Sequence, residues 1–260
     1  MIYIIIIKMN VKVEKNDLSI ILTACIKPEN IPFLERSSEQ ERLEDYKKSF
    51  NLWCENDHVK KLIFIENSGY DLNYFEIKSK EYKNKNIEII SINLNNTFDK
   101  NLGKGYGEYL CLRSILEKSR LFNEGNYFLK VTGRYYLKNY KNLYKEIIKK
   151  KLDVGVYLKD NLKYADSHVF TGSKFFLENF VIPETSKTND TKGIYFENCL
   201  AKATLSGINS NLKFGHLETY PDIHGIIGTN NKRIKNNFIK KIKLFLIGKI
   251  KNYLLGNKRY

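Results

Sequence analysis

Short apolar segments rich in β-branched residues recur along this chain of 260 residues, and stretches with helical spacing separate them. The predicted strands cover residues 18–26, 61–66, 86–93, 126–131, 153–158 and 167–171, and the predicted helices cover 38–56, 108–122, 140–151 and 194–205. Strands that alternate with helices of this length favour βαβ units. The expected fold class is therefore α/β, with a mostly parallel sheet flanked by helices on both faces.

The predicted topology also locates a binding edge. Right-handed crossovers bring the loops that follow parallel strands to one edge of the sheet, where ligands of open α/β folds bind. In this sequence those loops are residues 23–28, 67–71, 93–107 and 132–136. Functional residues are therefore expected in these four segments.

Composition excludes several other classes of protein. Hydrophobic residues make up 42% of the chain, which is enough for a core and too many for a disordered protein. The four cysteines form no CxxC pair, so a disulfide scaffold or a zinc ribbon is not expected. No run of apolar residues approaches the 18 that a transmembrane helix needs. The apolar stretch 1–7 is interpreted as an edge strand, or as sequence upstream of a true start at Met9.

Positive charge is concentrated at one end of the sequence. The net charge is +15, but ten basic residues and no acidic ones lie after residue 230, which leaves +5 for the first 230 residues. From residue 238 to 254, apolar residues recur with a period near 3.6 and lysines occupy the other face. The interpretation is an N-terminal extension (1–17), a body (18–230) and a basic amphipathic tail (231–260). The tail is expected to bind an anionic membrane surface or, alternatively, to pack on the body.

Two segments at the binding edge carry candidate chemistry. Residues 101–113 (NLGKGYGEYLCLR) combine three glycines and a lysine with the start of a helix, which suits an anion or a simple flexible turn. In residues 127–136 (YFLKVTGRYY), Lys130 and Arg134 bracket a Thr-Gly turn at a strand end. Two cations so close together need either ion-pair partners or a bound anion such as a diphosphate.

In this order the segments ILTACIKP, NLGKGYGEYLCLR, YFLKVTGRYY and PDIHGIIG resemble the small bacterial glycosyltransferases of capsule and lipopolysaccharide gene clusters, which have the GT-A nucleotide-sugar fold. The resemblance covers roughly residues 18–229. It implies a GT-A-like, Rossmann-type sheet and a nucleotide-sugar donor. The implied donor-binding residues are Thr23, Ala24, Cys25, Asn67, Lys104, Gly105, Gly107, Thr132, Gly133 and His224.

One departure from that family concerns the metal. No Asp-x-Asp stands where metal-dependent members hold a divalent cation, and Lys130 and Arg134 occupy that place. Fixed cations can stabilise a leaving diphosphate, so transfer without a metal cofactor is expected. The alternative metal site would use Asp166 and His168, together with His224 or His216. Otherwise Asp166 and His168 are interpreted as groups that bind the acceptor, or as part of a turn.

The resemblance also implies the remaining roles. Glu197, at the start of a late helix, is the candidate base for the acceptor hydroxyl, although a first-turn glutamate is also ordinary helix chemistry. Tyr195 is expected beside the acceptor sugar. The predicted partners are a nucleotide-sugar, a glycan or lipid-linked glycan acceptor and the inner face of the plasma membrane, with no nucleic acid. The alternatives are a non-enzymatic nucleic-acid-binding protein and a sugar nucleotidyltransferase.

Overall fold

The computed structural model describes residues 17–28, 34–94, 97–228, 231–233, 245–246 and 249–250. The strands are β1 (Leu18–Ala24), β2 (Lys61–Glu66), β3 (Asn86–Ser91), β4 (Tyr127–Thr132), β5 (Tyr136–Leu137), β6 (Val154–Gly155), β7 (Leu158–Lys159), β8 (Tyr164–Ala165), β9 (Val169–Ser173) and β10 (Ile223–His224). The α-helices are α1 (Glu39–Glu55), α2 (Asn73–Lys80), α3 (Lys104–Lys118), α4 (Arg120–Asn123), α5 (Tyr140–Lys150), α6 (Lys174–Phe176), α7 (Ile182–Thr185) and α8 (Phe196–Asn209).

Six strands form the central sheet in the order β3-β2-β1-β4-β9-β6. The first four run parallel to one another, and β9 runs antiparallel to both β4 and β6. Two smaller two-stranded sheets, β5 with β10 and β7 with β8, complete the strand pairing among the described residues. The predicted mostly parallel α/β sheet is therefore confirmed.

Alternating side chains of the buried strands supply two cores, one on each face of the sheet. Leu62 and Phe64 of β2 belong to the core that includes Phe50 of α1, whereas Ile63 and Ile65 point into the opposite core. Helices α1, α2 and α5 cover the first face, and α3 and α8 cover the second. Because both faces are covered, the parallel strands carry apolar side chains on both of their faces.

Several predicted boundaries differ from the structure. The helix expected over 108–122 begins four residues earlier, at Lys104, and ends at Lys118, because the Ser119 hydroxyl caps the separate helix α4 by accepting the Phe122 N–H at 3.1 Å. The strand expected over 153–158 is interrupted, because only Val154–Gly155 form β6 and Leu158 already belongs to β7. The helix α2 and the small sheet β5–β10 were not expected.

The predicted termini fall largely outside the described residues. The predicted N-terminal edge strand falls within residues 1–16, which lie outside the described residues. Within the predicted amphipathic tail, 245–246 and 249–250 are helical, and Phe245, Leu246 and Ile250 are exposed. Within the described part of the chain, no helix has the length and apolar character required to cross a bilayer.

Candidate active site

A cleft of about 260 Å³ opens at the carboxyl ends of β1, β2 and β4, where the topology places a ligand site. Most residues predicted for the site line this cleft: Thr23, Ala24, Cys25, Asn67, Lys104, Gly105, Gly107, Lys130, Thr132, Arg134, His168 and Glu197. They come from six separate segments of the chain that the fold brings together. Asp166 lies behind His168, and Gly133 forms the turn after β4.

The turn after β4 fixes Arg134 in the wall of the cleft. The Gly133 N–H donates to the Thr23 carbonyl at 2.8 Å, and a Cβ at this glycine would lie 2.7 Å from the same oxygen. The Trp53 indole N–H of α1 donates to the Tyr135 carbonyl at 2.8 Å. On the other side Gly228 leaves room for the guanidinium, because a Cβ there would lie 2.8 Å from both Nη1 and Nη2.

Arg134 lacks the partners that a buried arginine normally has. It is 9% exposed, and its Nε and Nη1 atoms are buried without a hydrogen-bond acceptor among the described residues. A buried guanidinium without a counter-charge is costly unless a bound anion supplies the missing acceptors. Arg134 is therefore the candidate residue for holding an anion in the cleft.

Lys130 differs from Arg134 in having its own ion pair. Its Nζ lies 2.6 Å from Glu108 Oε1 and donates to the Ser167 carbonyl at 2.8 Å. Glu108 also accepts a hydrogen bond from the Thr23 hydroxyl at 2.9 Å. Lys130 is 1% exposed, so this internal partner compensates most of its charge. Of the two expected cations, Arg134 is thus the one left for a ligand.

The glycine-rich segment forms the first turn of α3, but a protein carboxylate caps it. The Gly105 N–H donates to Asp190 Oδ2 at 3.3 Å, and a Cβ at Gly105 would lie 2.7 Å from Thr188 Cγ2. Burial raises the pKa of Asp190, against the opposing effects of the Gly105 N–H and the Lys104 charge. The helix N-terminus expected to bind an anion is therefore occupied by Asp190, whereas Lys104 still lines the cleft.

Three buried side chains, those of Arg42, Tyr46 and Glu66, hold the loop after β1. Arg42 of α1 donates from Nε to the Cys25 carbonyl at 2.7 Å, and the Cys25 N–H donates to the Tyr46 hydroxyl at 3.0 Å. Glu66, at the end of β2, accepts from the N–H groups of Ile26 at 2.9 Å and Ser68 at 3.0 Å. Burial raises the pKa of the Cys25 thiol to about 11, so this cysteine is protonated at neutral pH.

The start of α8 and the loop before β9 contribute Glu197 and His168 to the cleft. Glu197, in the first turn of α8, accepts a hydrogen bond from the Ser167 hydroxyl at 2.7 Å. Asp166 Oδ1 lies 2.9 Å from His168 Nδ1, and Asp166 Oδ2 accepts from Lys159 Nζ at 2.9 Å. Because a carboxylate only accepts, Nδ1 carries the proton and Nε2 of His168 is the basic nitrogen.

Neighbouring positive groups lower the pKa of Asp166. Burial favours its neutral form, but the hydrogen bond and charge of His168, together with Lys159, outweigh that effect and hold the pKa of Asp166 below its usual range. Among the described residues, no group of three or more His, Cys, Asp or Glu side chains is placed to hold a metal ion. His216, proposed as a third ligand, packs instead against the rings of Tyr157 and Phe214.

Two predicted site residues lie elsewhere. Tyr195 precedes α8 with its ring 45% exposed and does not line the cleft, where Phe196 and Tyr164 are the aromatic side chains beside Glu197. His224 does not line the cleft either, because the pairing of β10 with β5 places it in a second cavity on the other side of Arg134. Sequence reasoning missed Glu108, Asp190, Arg42 and Glu66, although Glu108 lies inside the segment 101–113.

Comparison with known proteins gives likenesses of fold only. No family model and no curated protein sequence matches the chain. Among solved structures, TarS from S. aureus is 14% identical with a TM-score of 0.45, over 94% of this chain and 40% of TarS. A cytidylyltransferase from Leptospira borgpetersenii is 10% identical with a TM-score of 0.43, over 94% and 98% of the two chains.

A third similar structure is mouse xyloside xylosyltransferase 1, which is 12% identical with a TM-score of 0.40, over 77% of this chain and 84% of that one. The match to TarS covers 40% of that protein, so this chain spans less than half the length of TarS. At such identities and TM-scores these likenesses do not identify an activity.

Proposed function

We propose that this chain is a glycosyltransferase that moves a sugar from a nucleoside diphosphate sugar to a hydroxyl group of an acceptor glycan. The observation that carries the proposal is the buried Arg134 guanidinium, which lines the cleft at the carboxyl edge of the sheet and finds no acceptor for Nε or Nη1 in the part of the chain that the structure describes. A diphosphate supplies such acceptors, and an arginine binds phosphate oxygens in a bidentate manner. Lys104 adds a second cation to the same wall.

In the proposed reaction the acceptor oxygen bonds to the anomeric carbon of the donor sugar. The bond between that carbon and the β-phosphate oxygen breaks, and the nucleoside diphosphate leaves with the bonding electrons. Negative charge builds on the leaving diphosphate in the transition state, where a fixed guanidinium stabilises it. Arg134 has this role in the proposal, and Lys130 reinforces the local positive field while it is held by Glu108.

The proton of the acceptor hydroxyl goes to Glu197 in this proposal. Glu197 lines the same cleft as Arg134, and the hydrogen bond from Ser167 holds one of its oxygens in place. A carboxylate within reach of the acceptor hydroxyl serves as a general base. His168, oriented by Asp166, lines the same wall and is proposed to hydrogen-bond the acceptor. Phe196 and Tyr164 offer apolar surface for a sugar ring.

The biological setting in this proposal rests on the sequence resemblance and the tail. The acceptor is a growing capsule or lipopolysaccharide glycan or its lipid-linked precursor, and the tail holds the enzyme at the inner face of the plasma membrane. Phosphate stabilisation by Arg134 does not require a divalent ion, so the proposed transfer proceeds without a metal cofactor.

The test is thermal stabilisation of the protein by a panel of UDP, GDP and CMP sugars, with and without EDTA. A ligand that binds only the native state raises Tm. At a concentration of 100 times its Kd, it adds about 2.7 kcal/mol to the free energy of unfolding. We expect one nucleotide class to stabilise the protein equally in both conditions. Replacing Arg134 with Gln should weaken nucleotide binding about 10- to 100-fold, since a charge-assisted hydrogen bond contributes about 1.5–3 kcal/mol.

The exposed Arg120→Gln variant serves as the matched control and should bind nucleotide like the wild type, because Arg120 lies on α4 with 79% of its side chain exposed. The proposal is refuted if no nucleotide sugar of the panel raises Tm. A strict requirement for Mn²⁺ would refute the metal-independent form alone. Release of pyrophosphate from a nucleoside triphosphate and a sugar phosphate would identify a nucleotidyltransferase instead.

A further inference from the structure

A second cavity, of about 210 Å³, lies behind the wall formed by Arg134. It is lined by Lys48 and Ser49 of α1, by His224, and by Arg233, and Arg134 lines it together with the cleft. The space suits a compact group. Within the segment PDIHGIIG, His224, Gly225 and Ile226 line this second cavity, whereas Ile227 and Gly228 line the cleft.

The lining of this second cavity is strongly cationic. Lys48, Arg134 and Arg233 carry three positive charges, and Asp45 is the single carboxylate among the described residues that line it. Asp45 already forms an ion pair with Arg36, whose Nε donates to Oδ2 at 2.5 Å and whose Nη2 donates to Oδ1 at 3.1 Å. Three like charges around one cavity repel each other unless an anion enters it.

Unpartnered buried polar atoms in the wall point to the same kind of ligand. The Ser49 side chain is 2% exposed, and its hydroxyl has no hydrogen-bond partner among the described residues. The Nε and Nη1 atoms of Arg134 are in the same state. The guanidinium presents five N–H donors, enough to serve an anion in the cleft and another behind it. All of these groups can donate, which selects a ligand rich in acceptor oxygens.

The pKa of His224 is affected by the positive charges around the cavity. Arginine can only donate, so Arg233 Nη2, 3.1 Å from His224 Nε2, donates to a neutral imidazole. Burial lowers the pKa of His224, and the charges of Lys138, Arg233 and Lys48 lower it further, while Asp222 opposes them. An anion placed among these cations would favour the imidazolium, which could then donate to it.

We propose that the second cavity binds the phosphoryl group of a phosphate monoester, held by Lys48, Arg134 and Arg233 with Ser49 and His224 as further donors. A tetrahedral phosphoryl group offers three oxygens and close to two charges, which matches three cations and two neutral donors. This ligand is distinct from the nucleotide in the cleft. The shared Arg134 makes the two sites neighbours, so that the second ligand would lie beside the proposed donor site.

The test follows the ring protons of His224 by NMR in the full-length protein while inorganic phosphate or glycerol 3-phosphate is added. We expect saturable shifts and a rise in the pKa of His224. The Lys48→Gln and Arg233→Gln variants should each weaken the response about tenfold or more, because each loses a charged donor. Lys47→Gln is the matched control, since Lys47 pairs with Glu44 and does not line the cavity.

A second arm distinguishes the source of the phosphoryl group. If the natural ligand is a lipid headgroup, vesicles containing phosphatidic acid should shift His224 at lower phosphate concentration than glycerol 3-phosphate does. If it is a soluble ester, glycerol 3-phosphate alone should suffice and vesicles should add nothing. Either result supports the phosphoryl site.

The proposal is overturned if phosphate leaves His224 unchanged, or if Lys48→Gln and Arg233→Gln respond like Lys47→Gln. It is also overturned if UDP displaces the phosphate in direct competition, because the ion would then lie in the cleft. Nucleotide binding by Lys48→Gln and Arg233→Gln should equal that of the wild type. The two proposals can therefore fail separately. A protein that binds nucleotide but gives no phosphate response contradicts only the second site, and a protein that responds to phosphate but binds no nucleotide contradicts only the proposed function.

Discussion

At the scale of single residues, the buried pair of Lys130 and Glu108 has the largest expected effect on stability. Replacing Glu108 with Gln leaves a lysine that is 1% exposed with no compensating charge. Breaking a buried ion pair from one side costs about 3–5 kcal/mol. We expect Glu108→Gln to lower the free energy of unfolding by about 3 kcal/mol in urea denaturation, which measures it directly.

The double variant Lys130→Met/Glu108→Gln is the informative control for this pair. Since it removes the buried charge together with its partner, it should regain most of the lost stability. A Glu108→Gln variant within 0.5 kcal/mol of the wild type, about the scatter of ordinary surface changes, would contradict this account. Loss of activity on replacing Lys130 must accordingly be separated from loss of folding.

Asp166 gives a prediction about pH. Its pKa is lower in the folded protein than its ordinary value, so it contributes stability above about pH 4, and that contribution is lost as the pH falls through the folded pKa. Asp166→Asn should therefore cost about 2 kcal/mol at pH 7 and progressively less below pH 4. Urea denaturation across this range measures it, with Asp160→Asn, an exposed neighbour, as control. A cost independent of pH would argue against the charge as its source.

At the scale of elements, the start of α3 depends on Gly103. This residue has φ of +85°, and a Cβ there would collide with the Asp190 carboxylate that caps the helix. Gly193 also has a positive φ, of +70°, but open space around it. Gly193→Ala should cost about 1 kcal/mol from backbone strain alone. We expect Gly103→Ala to cost distinctly more by urea denaturation, and equal costs would show that the Asp190 contact is unimportant.

The same element shows what the sequence can and cannot predict. The strands β1 to β4 were predicted closely because each is an apolar run bounded by polar turns. The pattern of 101–113 predicted a glycine-rich entry into a helix at the binding edge. It could not reveal that Asp190, 85 residues further on, caps the Gly105 N–H. Partners so distant in sequence leave no local signal.

A similar limit applies to β6 and to the late loop. Residues 153–158 have the apolar composition of a strand, but only Val154 and Gly155 pair with β9. His224 was predicted near the donor phosphates because histidine before glycine suits a phosphate contact. The pairing of β10 with β5, which no local pattern encodes, turns it into the second cavity instead.

At the scale of the whole molecule, the distribution of charge separates the two proposed binding functions. The cleft at the carboxyl edge of the sheet contains the Lys130–Glu108 ion pair together with Arg134, whose Nε and Nη1 atoms have no acceptor among the described residues. The last 30 residues instead carry ten basic residues and no acidic ones. A nucleotide and an anionic surface can then be bound by different parts of one chain, without competing for the same cations.

The tail therefore gives the prediction at this scale. Each lysine near an anionic bilayer contributes about 1 kcal/mol, and this attraction is screened over about 10 Å in 0.1 M salt. We expect the full chain to sediment with vesicles that contain anionic lipid, and the variant with Gln at Lys240, Lys241 and Lys243 to bind at least tenfold more weakly. Lys141, Lys145 and Lys149 of α5, replaced together by Gln, provide a control of equal charge in the body. Equal losses from both triple variants would show that net charge, and not the tail, directs binding. Thermal stabilisation by nucleotide should be unchanged in the tail variant, because the described residues that line the cleft all belong to the body of the chain, up to Gly228.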